Sequence, residues 1–242
     1  MATAANTVGN EVRFSSTDLP VIATGMQAMA EKMWIPFIGM GFMIVVVAFV
    51  VGLINSGIAT DYFGASKAVR EAAERGSELA TQKAFIESTK VWLPTVKFLS
   101  MGMLLGGVTF LLATILGALR VGGGRVQEAL GSEVKIIKPP MTAKVFPMVM
   151  MMGMMVLMVA VVIGVVLGTL TYDYWNHSIA AQLNPAKSSL LANLGTINSV
   201  ILWLEPFKFV GLAMLLAGIG LALATIVQVL RRQSKRLWEI LN

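Results

Sequence analysis

The chain has 242 residues, 56% of them hydrophobic and only 13% charged, with a mean hydropathy of +0.76, a balance that excludes an ordinary soluble domain. It has no cysteine and a single histidine, His177, which removes disulfides, thiolate metal sites, haem attachment and multi-histidine metal centres from consideration. The net charge of +6 comes from basic residues that flank apolar runs, so a bilayer is the expected partner and nucleic acid is not.

Residues 1–16 are small and polar, and a loosely ordered tail is expected. In "TDLPVIATGMQAMAEKM", Asp18 is placed as an N-cap and Pro20 near the first helical turn, with Leu19, Ile22, Met26, Met29 and Met33 at helical spacing. This predicts a short interfacial helix within residues 1–34, joined to the first span near Pro36. Four runs then reach the roughly 20 residues that a bilayer about 30 Å thick requires: Ile35 to Ile58, Phe98 to Leu119, Val145 to Thr171 and Phe209 to Leu230. No ionisable side chain lies at the centre of any of them.

Between the first two spans, "SKAVREAAERGSELATQKAFIESTK" is alanine-rich and sets Lys67 with Glu71, Arg70 with Glu74, and Lys83 with Glu87 at i, i+4, so it is predicted to be helical. Gly122 to Gly124, after the second span, lack the preceding strand and the Gly-Lys-Ser/Thr ending of a phosphate loop and are expected to form a flexible helix exit. The loop before the fourth span is broken by Pro185. Basic residues concentrate in the N-terminal tail, in the segment 120–144 and in the C-terminal tail, whereas the other two loops are nearly balanced. Both termini are therefore expected on the cytoplasmic side of a prokaryotic cytoplasmic or intracytoplasmic membrane.

The chain also repeats itself. At an offset of 111, residues 92–131 match 203–242 at 17 of 40 positions, and at an offset of 112, residues 32–63 match 144–175 at 10 of 32. The matches include Trp92 with Trp203, Lys97 with Lys208, Asp61 with Asp173, Arg120 with Arg231, Arg125 with Arg236, and Glu128 with Glu239. The predicted fold is thus an all-α integral membrane protein of four transmembrane helices, a tandem parallel repeat of two helical hairpins. Its segments are 1–34 (tail and interfacial helix), 35–131 (first repeat), 132–144 (cytoplasmic linker) and 145–242 (second repeat).

Small residues mark the expected packing faces: Gly41, Ala48 and Gly52, their counterparts Gly153, Ala160 and Gly164, and Gly102 with Gly106, mirrored by Ala213 and Ala217. The symmetry of the repeat suggests two ion pairs near the outer interface, Asp61–Lys97 and Asp173–Lys208. Arg120, Arg125, Arg231 and Arg236 follow spans on the cytoplasmic side and are assigned to anionic lipid headgroups. Seven methionines in "PMVMMMGMMVLM", Pro147 to Met158, raise Cu(I) as a soft-metal possibility, although they are read as pointing around the whole helix and as packing against lipid or a partner. No nucleophile, base and orienting group can be assembled, so no enzyme, cofactor or bound metal is expected. The leading reading is a non-catalytic subunit of a larger membrane complex, with other membrane subunits and lipids as partners. The alternatives are a small transporter or channel with a cavity between the repeats, for which Thr109, Thr114 and Thr225 are the notable polar groups within spans, and a copper-associated accessory protein of a copper membrane enzyme.

Overall fold

A computed structural model describes residues 7–8, 11–12, 21–129, 140–184 and 186–241. Two strands of two residues, β1 (Thr7–Val8) and β2 (Glu11–Val12), pair antiparallel within the N-terminal tail. All other regular structure among the described residues is helical: α1 (Val21–Gly64), α2 (Lys67–Glu71), α3 (Glu78–Ala129), α4 (Thr142–Trp175), α5 (Ile179–Gln182) and α6 (Ser188–Leu241). The four long helices, α1, α3, α4 and α6, are each long and apolar enough to cross a membrane.

Each long helix contains one internal proline: Pro36, Pro94, Pro147 and Pro206. A proline removes one i→i−4 hydrogen bond, and sequence reasoning had placed a helix boundary at Pro36. Instead α1 runs unbroken through it, so the separate interfacial helix merges with the first span. Long apolar helices tolerate such a gap because leaving the helix would orphan many more backbone groups. The expected flexible exit at Gly122 to Gly124 is likewise helical, because α3 continues to Ala129. The segment between α1 and the apolar part of α3 is helical in two pieces, α2 and the start of α3, separated by a turn in which Gly76 adopts φ +77°; this left-handed conformation suits glycine. The placements of Asp18, Pro20 and Pro185, and the side chain of Arg125, fall outside the described residues.

Contacts divide the chain into two units. The first comprises residues 1–38, 105–150 and 216–242. Here Phe37 meets Phe110 edge-to-face at 5.0 Å, and Leu116, Phe146, Ala222 and Val229 form a buried cluster. Gly107 presses on the Ile38 side chain and would bring an added Cβ within 3.2 Å of the Trp34 carbonyl, while a Cβ added to Gly218 would stand 3.5 Å from the Phe146 carbonyl and 3.6 Å from the Met150 backbone nitrogen. On the C-terminal part of α6, Gln233 donates to the Leu119 carbonyl at 2.7 Å and its amide covers Gly123, where a side chain would collide with it.

The second unit comprises residues 39–104 and 151–215. Its core is a zipper: Ala160, Leu167 and Tyr174 on α4 pack with Leu190, Ile197 and Leu204 on α6. The seven-residue spacing on both helices is the heptad seam of helices that cross at a shallow angle. Gly153 and Gly211 extend the two series by one heptad, and a Cβ on Gly153 would stand 2.9 Å from the Gly211 carbonyl. In this unit α3 lies against three helices. Leu104 and Ser100 face Gly41 of α1; Thr95 and Trp92 fill the notches left by Gly164 and Gly168 of α4, where Ser88 also donates to the Gly168 carbonyl at 2.8 Å; and Phe98 stacks edge-to-face on Phe209 of α6 at 5.0 Å. Gly102 is buried on α3 directly under Leu157 and Leu215, whereas Ala213 of α6 is exposed; in the first unit Gly106 of α3 is buried and Ala217 of α6 is exposed. Ala48 and Ala160 are buried, and Gly52 has nothing near its missing side chain.

Candidate functional site: a charged cleft around Lys208

Three helices of the second unit enclose a cleft of about 260 Å³. From α3 it receives Glu87, Lys90 and Val91; from α4, Thr171 and Trp175; and from α6, Asn198, Glu205 and Lys208 beside an apolar wall that includes Ile197 and Ile201. The zipper spacing that buries Ile197 and Leu204 fixes the rotation of α6, and this brings Lys208, one turn beyond Leu204, into the helix packing rather than to the surface.

Lys208 is 1% exposed. Burying an ammonium is tolerable only when it is paired, and its partner is Glu205, whose Oε1 accepts from the lysine Nζ at 2.6 Å. The two are one turn apart on α6, so the helix itself sets the pair. The pair is lopsided: the carboxylate stays 54% exposed while the lysine is enclosed. The ring of Phe98 lies 5.1 Å from the ammonium and presents its electron-rich face, a further stabilisation of the cation.

Across the cleft, Lys90 donates to Glu87 at 2.9 Å, again over i, i+3. Lys83 leaves its expected partner Glu87 and lies over the Trp175 ring at 4.0 Å. Beyond the cleft, the turn at Gly76 is tied to the end of α4: the Gly76 N–H donates to the Asn176 side chain at 3.3 Å, and Arg75 reaches Asp173 at 3.5 Å. Gln182 donates to the Tyr174 and His177 carbonyls, and His177 Nδ1 sits 2.7 Å from the Asp173 carbonyl, so the one histidine has a structural environment.

These pairings correct the two expected from symmetry. Asp173 is held by Arg75 and Lys208 by Glu205; Asp61 and Lys97 are both exposed, and neither takes part in an ion pair among the described residues. The physical reason lies in the sequence at i−3: Glu205 precedes Lys208, whereas Pro94 occupies the corresponding place before Lys97. Both Glu205 and the i, i+3 signal are visible in the sequence, but pairing by symmetry favours residues that match between the two segments, and Glu205 has no such match.

Among the arginines assigned to lipid headgroups, Arg231 and Arg236 are exposed, with Arg236 bonded to Glu239 at 3.1 Å, and Arg120 is half-buried with Nε and Nη2 unpartnered. The threonines within the spans are occupied: Thr109 and Thr114 donate to carbonyls one turn back, and the Thr225 hydroxyl lies 2.7 Å from both the Leu221 carbonyl and the Thr142 hydroxyl. Among the described residues no three or more acidic, histidine or cysteine side chains gather in a way that could hold a metal ion. The methionines of α4 do not point evenly around the helix. Met148, Met151, Met152, Met155 and Met158 form one exposed face, while Met150 is buried. Comparison of the chain with protein families, with curated proteins and with solved structures gives no match.

Proposed function

We propose that the chain is a non-catalytic subunit of a larger membrane complex, built as two tandem hairpins, α1–α3 and α4–α6. The observation that carries this reading is the distribution of exposed apolar surface. Only 11% of the most apolar stretch of α1 is enclosed, against 39% for α3, and α4 offers the continuous methionine face. Unbranched, polarisable methionine adapts to irregular partners, which suits a neighbouring helix.

The tandem reading is supported by matched contacts. An added Cβ on Gly41 would meet Leu104 Cγ, Leu104 N and Ser100 O at 3.0–3.1 Å; on Gly153 it would meet Leu215 Cγ, Leu215 N and Gly211 O at 2.9–3.1 Å. The partners correspond at the 111-residue offset. Gly107 against Ile38 and Trp34 matches Gly218 against Met150 and Phe146 in the same way. With both termini cytoplasmic, Arg120, Arg231 and Arg236 fall at anionic headgroup level, and the unpartnered nitrogens of Arg120 suit a phosphate.

Purification from native membranes in mild detergent, followed by native mass spectrometry, tests the subunit role. Stable co-migration with other membrane chains is expected; a protein that is monodisperse alone contradicts it. A second reading, a small transporter, draws on the cleft, which takes residues from both hairpins, and predicts solute binding by the isolated protein. A third, copper association, draws on the five-methionine face, since thioethers are soft ligands, and predicts copper that is lost on Met→Leu substitution.

A further inference from the structure

Lys208 has three N–H donors, and the structure gives it one carboxylate, Glu205, and one aromatic face, Phe98. Since Lys208 also lines the cleft, donor capacity remains for a molecule inside it. Glu205, half-exposed, keeps acceptor capacity on the same side. Glu87 and Lys90 repeat this arrangement on α3. The side-chain amide of Asn198 makes no hydrogen bond among the described residues. Pro94 lies inside α3 and, with no N–H, cannot donate to the Lys90 carbonyl one turn back. The cleft therefore presents two ammonium groups and two carboxylates, with no net charge, beside the apolar wall of Val91, Ile197 and Ile201.

Its level along the helices is equally informative. Lys90 and Glu205 precede the apolar runs that begin at Phe98 and Phe209, Thr171 ends the run on α4, and Trp92, Trp175 and Trp203 cluster at these same ends. Tryptophans at the ends of apolar spans mark headgroup depth. The volume lies just under the roughly 300–1,000 Å³ of ordinary small-molecule sites, which suits a headgroup better than a larger solute.

We infer that the cleft binds the headgroup of a zwitterionic aminophospholipid. The phosphate takes the ammonium groups of Lys208 and Lys90, the primary ammonium takes Glu205, Glu87 and the Lys90 carbonyl, and the acyl chains leave along the apolar wall. A balanced cleft disfavours a purely anionic lipid, and a quaternary choline has no N–H to give the carboxylates. The phosphate-plus-amine chemistry is shared with free phosphoethanolamine, which the test must separate.

Delipidated protein is offered phosphatidylethanolamine, phosphatidylcholine and phosphatidylglycerol in turn, and retained lipid is counted by native mass spectrometry. Phosphatidylethanolamine should be retained about tenfold more strongly than the other two, the scale of one or two charge-assisted hydrogen bonds. The double variants Lys208→Met/Glu205→Gln and Glu87→Gln/Lys90→Gln should each lose that preference while keeping the wild-type melting temperature within a few degrees. If the first double variant fails to fold, the second, at more exposed positions, decides. Equal retention of the three lipids, or an unchanged preference in a folded double variant, overturns the site. Saturation by soluble phosphoethanolamine with no preference among lipids overturns the lipid assignment in favour of a free solute.

Discussion

The turns around Lys97 and Lys208 are written in almost the same residues and end in opposite environments. Trp92, Leu93, Lys97 and Phe98 correspond to Trp203, Leu204, Lys208 and Phe209, yet Lys97 is exposed and Lys208 is 1% exposed. Two differences account for this. Glu205 supplies a carboxylate three residues before Lys208 where Pro94 stands three before Lys97, and Phe98 of α3 closes over Lys208. Similar sequence need not yield similar environments, because each segment meets different neighbours. The glycine contacts teach the converse: Gly41 on Leu104 and Gly153 on Leu215 share the same geometry, since close backbone approach between two helices depends on those two helices alone.

The largest effect should come from the shared feature. Gly153→Ile and Gly41→Ile each drive a branched side chain into backbone and leucine atoms about 3 Å away. Both should cost several kcal/mol or abolish the folded protein, whereas Gly52→Ile, with open space around it, should be near neutral. Detergent melting temperatures of the three variants make the comparison, and a benign Gly153→Ile would break it.

Next comes the divergent turn. Glu205→Gln leaves the buried ammonium of Lys208 without its counter-charge and should destabilise by about 1–3 kcal/mol, while Lys208→Met leaves only a half-exposed carboxylate and should cost less. The reverse order would show that Glu205 is not what makes the burial of Lys208 tolerable.

A smaller contrast separates the threonines at corresponding places. Thr225 bonds to Thr142 across helices, whereas Thr114 bonds only to its own helix, and Ala30 stands where a counterpart of Thr142 would be. Thr225→Val should cost about 1 kcal/mol and Thr114→Val less, again read from melting temperature. The smallest effect belongs to Lys97→Met, expected within about 0.5 kcal/mol as for other exposed positions.

The sequence made the four long apolar helices legible, because runs of about 20 apolar residues have few other uses. Its prolines were less informative. In a soluble chain Pro36 would mark a boundary, but a helix long enough for a membrane keeps its remaining hydrogen bonds and passes through. The methionine run suggests thioethers all around α4, yet the heptad seam through Gly153, Ala160 and Leu167 turns five of its seven methionines to one side. The cleft was hardest to see. Its residues come from α3, α4 and α6 and are separated by up to 121 positions, from Glu87 to Lys208, so no local pattern announces it; the one local clue was a glutamate one turn before a lysine. Arg75 on Asp173 depended on the Gly76 turn, whose tether to Asn176 no periodicity predicts.

The most direct test of the claim that Lys208 is held in the helix packing by Glu205 is a double-mutant cycle of Lys208→Met and Glu205→Gln, followed by unfolding in detergent. The two effects should be coupled by about 1 kcal/mol or more, with the double variant more stable than Glu205→Gln alone. Strict additivity, with the double variant as unstable as the sum of the two single changes, would contradict the account.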